Sequence, residues 1–265
     1  MSNKNLNVEI YEAKFAIIRF INTKKLNPLN RETALELETA LDDLKDDDKV
    51  RSIIITGSGR AFSAGGDIKG MLKSIEDGNP DEFMDELTEP IYNLTYKLRS
   101  YPKPIIAAVN GYAIGAGMNL ALSCDIVVAS EKAEFRESFN KLGLIPGAAG
   151  TFLLINQIPW QKAAEYCFLG DKISPLELFN LGLVNLVVPK EELENIAIQM
   201  AEKLAKGPTL AYARTKKLFL EAKKNSFKDH IEIERQVQIK SALTEDYKIG
   251  VKAINERKKA QFTGK

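Results

Sequence analysis

"FSAGGDIKG", Phe62 to Gly70, follows the apolar run "VRSIIITG", Val50 to Gly57, and leads into a helix-like segment. The first run is short, β-branched and continuous, the pattern of a strand covered on both faces. "PIIAAVNG" (Pro104 to Gly111) and "DIVVAS" (Asp125 to Ser130) repeat that type. Upstream, "LNVEIY" and "FAIIRFI" flank the polar Glu12-Ala13-Lys14 and predict a hairpin. In "NRETALELETALDDLKDDDK" the residues Ala34, Leu37, Ala40, Leu41 and Leu44 share one helical face, and the acidic end reads as solvated. Buried-type strands alternating with helices argue for an α/β fold. Further on, "SPLE", Ser174 to Glu177, predicts a helix start: Ser as N-cap, Pro at the first helical position, Glu three residues after the cap. Beyond Pro189 the segments are helix-like throughout, which divides the chain into a core over 1–190 and a helical region over 191–265.

Composition narrows the function classes. With 265 residues, 45% of them hydrophobic, the chain is long enough for one large domain or a domain with a helical appendage. Lys and Arg total 37 against 36 for Asp and Glu, so no global field points to nucleic acid or an anionic membrane. No stretch approaches the ~20 apolar residues of a membrane span, and "MSNKNLNVEIYEAKF" has no apolar core of signal-peptide length, so a cytoplasmic location is expected. Cys124 and Cys167 sit in apolar surroundings far apart in sequence and read as inert core thiols.

Several kinds of chemistry fail on the residues present. "GSGRAF" has Phe62 where a dinucleotide fingerprint has its third glycine, "GYAIGAG" has the wrong spacing, and the only Gly-Lys pair is terminal. "AFSAG" approaches the G-x-S-x-G elbow of serine hydrolases around Ser63, but that enzyme needs a base. The single histidine, His230, lies in a charged helical stretch and reads as surface or structural. One His and two distant Cys form no metal-ligand cluster. What remains is a pair of glycine-containing turns at strand ends, Ala64-Gly65-Gly66-Asp67 and Gly111 to Gly117. Such turns let a backbone approach a ligand, and the following helices begin with free N–H groups. Two of these aimed at one oxygen would stabilise an enolate or a tetrahedral oxygen. Plain tight turns would use the same glycines, and spacing alone leaves both readings open.

Along nearly its whole length the chain resembles the crotonase superfamily, the enoyl-CoA hydratase/isomerase family. The segments that carry the resemblance are "GSGRAFSAGGDIKGM", "KPIIAAVNGYAIGAGMNLALSCDIVVASEKAEF", "LGLIPGAAGTFLL", "GDKISPLELFNLGLVNLVVP" and "INERKKAQF". It implies a spiral of ββα units with a C-terminal helical trimerisation region, assembled as a homotrimer or a dimer of trimers. It also implies an acyl-CoA thioester as substrate, with CoA entering only as part of that substrate and no separate cofactor. The thioester oxygen would lie between the N–H groups of Gly66 and Ala116, while Asp67 holds its loop. The CoA moiety would be met by Ala64, Gly65, Gly66, Asp67 and Ile68, with further contacts from Lys25, Leu26 and Asn27. Its phosphates would meet Lys24, Lys25 or Lys69, and a neighbouring subunit's tail around Lys259 and Phe262.

At the acid/base positions the chain departs from the pattern. Family hydratases carry glutamates where this chain has Asn119 and Phe139, and many isomerases carry an acid at the second of these or where this chain has Gly147. Asparagine orients a polar group but cycles no proton, and Phe139 makes its wall of the pocket apolar. The nearest carboxylate is Glu137, which shares the face of Phe139 on a regular strand and leaves it at a one-residue kink. Glu137 is therefore the candidate general base, Asn119 the candidate positioning group, and Ser138, Asn140 and Tyr112 further polar candidates. Four readings follow, in this order: a hydratase/isomerase-like enzyme with a rearranged acid/base set; a decarboxylase of a β-carboxylated acyl-CoA or acyl-carrier thioester, which reaches its enolate without a base; an acyl-CoA-binding member without catalysis; and a hydrolase using Ser63.

Overall fold

The computed structural model describes residues 4–265. The predicted hairpin forms: β1 (Leu6–Tyr11) and β2 (Phe15–Phe20) pair antiparallel from Leu6 opposite Phe20 to Tyr11 opposite Phe15, with Lys14 at φ 64° in the turn. Helix α1 (Arg31–Lys45) follows, N-capped by Asn30, whose side chain accepts from the Thr33 N–H. Its apolar face, Ala34, Leu37, Ala40, Leu41 and Leu44, is buried as the periodicity requires. Burying a leucine such as Leu37 contributes about 1.5–3 kcal/mol.

From there the chain repeats one unit, strand, strand, helix. The first unit is β3 (Ser52–Gly57), β4 (Ala61–Ser63) and the pair α2 (Ile68–Asp77) and α3 (Pro80–Ser100). The second is β5 (Ile105–Val109), β6 (Tyr112–Ile114) and α4 (Ala116–Leu122). The third is β7 (Ile126–Ser130), β8 (Glu134–Arg136) and, after a 3-10 turn over Ser138–Leu142, α5 (Gly150–Ile155). Helix α6 (Trp160–Leu169), helix α7 (Pro175–Asn180) and strand β9 (Leu186–Val188) complete the core. Ser174 caps α7 as its sequence demands, its hydroxyl accepting from the Glu177 N–H at 3.1 Å.

First strands of the three units, β3, β5 and β7, line up with β1, β2 and β9 in a six-stranded sheet, order β1-β2-β3-β5-β7-β9, parallel throughout except for the hairpin. Second strands form a separate parallel sheet, β4-β6-β8. This is the spiral of ββα units that the resemblance implies. β3 and β5 are buried along their whole length because the large sheet is covered on both sides. One side meets α1 and α3, and the other meets α8 (Leu193–Ala205) through Leu193, Ala197 and Ala201 packed on Ile17, Ile54 and Ile106. The helices after residue 190 thus occupy different surroundings. α8 seals the sheet, while α9 (Thr209–Ala222), α10 (Phe227–Ser241) and α11 (Glu245–Asn255) follow it, α10 burying no residue fully. The tail folds back, with Asp246 accepting from the N–H groups of Thr263 and Gly264 and Arg51 donating to the Phe262 carbonyl. No helix among the described residues is long and apolar enough to cross a membrane.

Candidate active site

Why the glycine turns meet follows from the small sheet. β4 and β6 are hydrogen-bonded neighbours, Ala61 opposite Tyr112 and Ser63 opposite Ala113, and both run the same way. Their C-terminal ends therefore lie side by side, and β8 adds a third end next to β6, Ile114 opposite Arg136. The loops leaving these three ends carry Gly66, Ala116 and Phe139 respectively. Contact between the first two is close enough to exclude side chains. Gly65, at φ +85°, faces the Ile114 carbonyl where a Cβ would sit 2.6 Å from its oxygen, and a Cβ on Gly117 would collide with the Ser63 carbonyl. Gly66 needs no such freedom: a Cβ there meets only the mobile Met71 methyl, so what this position supplies is its N–H.

Among the described residues, neither the Gly66 nor the Ala116 N–H donates to any protein acceptor. Both residues line a cavity of about 90 Å³. Gly65, Ile114 and Phe139 line it from the strand ends, and Met84, Thr88, Ile91 and Tyr92 from α3. No Asp, Glu, Lys, Arg or His is among its lining residues. Ala116 is buried and Gly66 half-buried, and an N–H taken out of water without a partner costs about 1–3 kcal/mol, so the two bordering one apolar cavity are groups for an incoming acceptor to satisfy. An oxygen placed between them would receive two hydrogen bonds in a water-poor space, the arrangement that stabilises a developing oxyanion.

The enoyl-CoA hydratase/isomerase family profile matches residues 11–265. The chain belongs to that family. A probable mitochondrial enoyl-CoA hydratase of Dictyostelium discoideum is 39% identical to it over 247 residues, 93% of this chain and 87% of that protein. The 1,2-epoxyphenylacetyl-CoA isomerase of Escherichia coli is 36% identical over 243 residues, 91% of this chain and 92% of that protein. Among solved structures, an enoyl-CoA hydratase from Polaromonas sp. JS666 superposes with a TM-score of 0.93 at 31% identity, covering 97% of this chain and 99% of that one. As an enoyl-CoA hydratase/isomerase family enzyme, the protein acts on acyl-CoA.

The expected binding residues gather around the first loop. Ala64, Gly65 and Ile68 line the cavity. Lys25 and Leu26 do not, but their segment grips the loop: the Leu26 carbonyl accepts from the Ala64 N–H at 3.0 Å, and the Leu29 N–H donates to the Gly65 carbonyl at 2.7 Å. Leu26 and Asn27 hold positive φ to make that turn, and the buried Asn27 side chain ties it to the Ser58 and Ala61 carbonyls. Asp67 caps α2, its carboxylate accepting from the Gly70 N–H at 3.2 Å, which is a loop-holding role.

Around Asn119 and Phe139 the geometry is specific. Phe139 forms one wall of the cavity, and Ser138 lines it too. Glu137 sits at the junction between β8 and the 3-10 turn, so the backbone kinks there and Glu137 leaves the face that Phe139 takes. Its side chain is fully buried behind the cavity wall, and neither carboxyl oxygen has a hydrogen-bond partner. Burial pushes its pKa up to about 8, with the Asn119 amide nearby holding the rise back. Asn119 is fully buried as well; its Nδ2 donates to the Gly147 carbonyl at 2.9 Å, and its Oδ1 is unpartnered.

Other candidates lie apart. Tyr112 and Asn140 do not line the cavity, and His230 is on α10. Ser63 is fully buried in β4, where its hydroxyl accepts from the Gly65 N–H at 3.3 Å, so it is not presented as a nucleophile. Cys124 and Cys167 are free thiols whose pKa values burial raises to about 12 and about 11, which leaves both poor nucleophiles. Among the described residues no group of His, Cys, Asp or Glu is placed to hold a metal ion. The α3 wall escaped the sequence reading, although Met84, Thr88, Ile91 and Tyr92 recur at helical spacing and that period was the available signal.

Proposed function

We propose that the protein turns over an acyl-CoA thioester through an enolate whose oxygen is held by the N–H groups of Gly66 and Ala116. The observation that carries this is the pair of unclaimed N–H groups bordering one small apolar cavity. Each donor in such a site contributes roughly 2.7–4 kcal/mol to stabilising the oxyanion, mostly because no water competes for it. CoA serves as part of the substrate, with the Lys25–Leu26 segment and residues 64–68 at the mouth, and no further cofactor takes part. In the hydration or isomerisation reading, Glu137 carries the proton and Asn119 orients it. Near neutral pH this carboxyl is largely protonated, so its ionised fraction takes the proton from the substrate or from the attacking water as the enolate forms, and the acid it then becomes returns that proton to carbon. The working unit in this reading is a homotrimer or a dimer of trimers built through the C-terminal helices, in the cytoplasm.

One observation favours a second reading, decarboxylation of a β-carboxylated thioester. No carboxylate lines the cavity, so nothing there repels a substrate carboxylate, and loss of CO₂ forms the enolate without a base. The deciding experiment is mass spectrometry of crotonyl-, β,γ-enoyl-, methylmalonyl- and malonyl-CoA incubated with the protein in D₂O. Water addition or deuterium incorporation into the enoyl thioesters supports the first reading, and CO₂ loss supports the second. Absence of all three, from a protein that binds the thioesters, refutes both and leaves a binding role.

A further inference from the structure

Helix α3 carries one continuous stripe past two spaces. Met84, Thr88, Ile91 and Tyr92 line the cavity just described, and Tyr92, Thr95, Tyr96 and Arg99 line a second groove of about 530 Å³. Residues three and four apart lie on one helical face, so the two spaces border the same face of α3, with Tyr92 in the wall of both. Their second shared boundary is the pair Ala148 and Ala149, the former in the cavity wall, the latter in the groove wall. From Tyr92 to Arg99 that face runs on for about 10 Å at the helical rise.

The small cavity has room for only about three water-sized groups, enough for the reacting end of a thioester and little more. A longer acyl chain has to leave it, and the α3 face is an apolar path, walled by Phe152, Leu153, Phe219 and Leu220. Its far end is not apolar. Arg99, Lys216, Lys223 and Lys224 line it against a single carboxylate, Asp125. Asp125 is already held by the Lys216 ammonium at 2.8 Å and the Ile105 N–H at 2.8 Å, and Lys224 lies 3.5 Å from Glu221. Arg99 donates to the Leu122 carbonyl at 2.7 Å, and the Lys223 ammonium stands 4.9 Å above the Phe152 ring. Neither has a carboxylate partner among the described residues. Burial first, and then the neighbouring Arg99 charge, lower the Lys223 pKa, while Asp125 offsets part of the burial that lowers that of Arg99.

We propose that this groove receives the far end of the substrate's acyl chain and that this end bears a carboxylate, so that the preferred substrates are ω-carboxyacyl-CoA thioesters. The inference rests on the acyl-CoA reading above and adds the chain terminus to it. An aliphatic end would cover the half-buried Arg99 with no return, whereas a carboxylate reaching it and the exposed Lys223 forms charge-assisted hydrogen bonds on a guanidinium fork.

Calorimetric binding of octanoyl-CoA and of its ω-carboxylated counterpart tests this without requiring turnover. The wild-type protein is expected to bind the carboxylated thioester about tenfold more tightly or better, the scale of one hydrogen bond to a charged group. Arg99→Met should abolish that preference, with a lower melting temperature from the lost hydrogen bond to the Leu122 carbonyl, and the exposed Lys223→Met should reduce the preference with the melting temperature unchanged. Equal or weaker binding of the carboxylated thioester would overturn the proposal, whether the groove is closed by a second copy of the chain or is simply not on the substrate's path. If octanoyl-CoA binds normally in that case, the acyl-CoA reading survives; if neither thioester binds, both fall together.

Discussion

Ala116 offers a way to delete one hydrogen bond without dismantling the site. It is the first residue of α4, and the first helical position accepts proline because its N–H has no intrahelical partner and the fixed φ suits a helix start. In Ala116→Pro the ring replaces the N–H that borders the cavity, so the added atoms enter open space rather than packed core. Only one donor is lost; the Gly66 N–H remains. Removing one such donor costs about 2.7–4 kcal/mol in the transition state, or roughly 10²–10³ in kcat. Because the thioester's ground-state carbonyl is a weaker acceptor than an enolate oxygen, KM should move far less than kcat. The assay is initial rates on whichever thioester of the panel the wild-type protein turns over fastest, with thermal melts alongside to verify folding. A variant that melts within a few degrees of the wild type and keeps kcat within about threefold would refute the assignment of Ala116 as a donor.

Glu137 carries a pH signature. Its folded pKa, about 8, lies above the ordinary 4.5, so the native state holds a proton that the unfolded chain has released. The resulting stability is complete below about pH 4.5 and is lost as pH rises through 8, at most about 5 kcal/mol in total. Glu137→Gln, which resembles the protonated form, should flatten the decline in melting temperature over that window; an unaltered slope would show that the carboxyl is not buried as described. Gly117→Ala should destabilise the fold by about 1–3 kcal/mol, since its methyl collides with the Ser63 carbonyl and pushes α4 off β4, and denaturant melts would detect it.

How far the sequence reached depends on the kind of interaction. The hairpin, α1 and the buried strands were legible because their signals are local: a polar turn between β-branched runs, a 3.6-residue period, and continuous apolar residues where both faces are covered. The capped start of α7 was legible for the same reason, since Ser174 and Glu177 meet within a single turn. The 190/191 division drawn from composition passes just before α8, which packs on the large sheet; helical character and location in the core are independent properties.

Sequence by itself determined the glycine turns, the non-acidic residues Asn119, Phe139 and Gly147, and the family resemblance that residues 11–265 bear out. Tertiary structure decided which groups share a space. Gly66 and Ala116, far apart along the chain, meet because β4 and β6 are parallel neighbours ending at the same edge. A single kink after β8 sends Phe139 into the cavity and Glu137 behind it, although the two residues differ by only two positions. Tyr92 of α3 stands in the wall of both the cavity and the groove that holds Arg99 and Lys223, and residues of α5 and α9 supply that groove's other walls. Local patterns follow from each residue's own backbone and its near neighbours, whereas a site is made by groups that only long-range packing brings within hydrogen-bonding range.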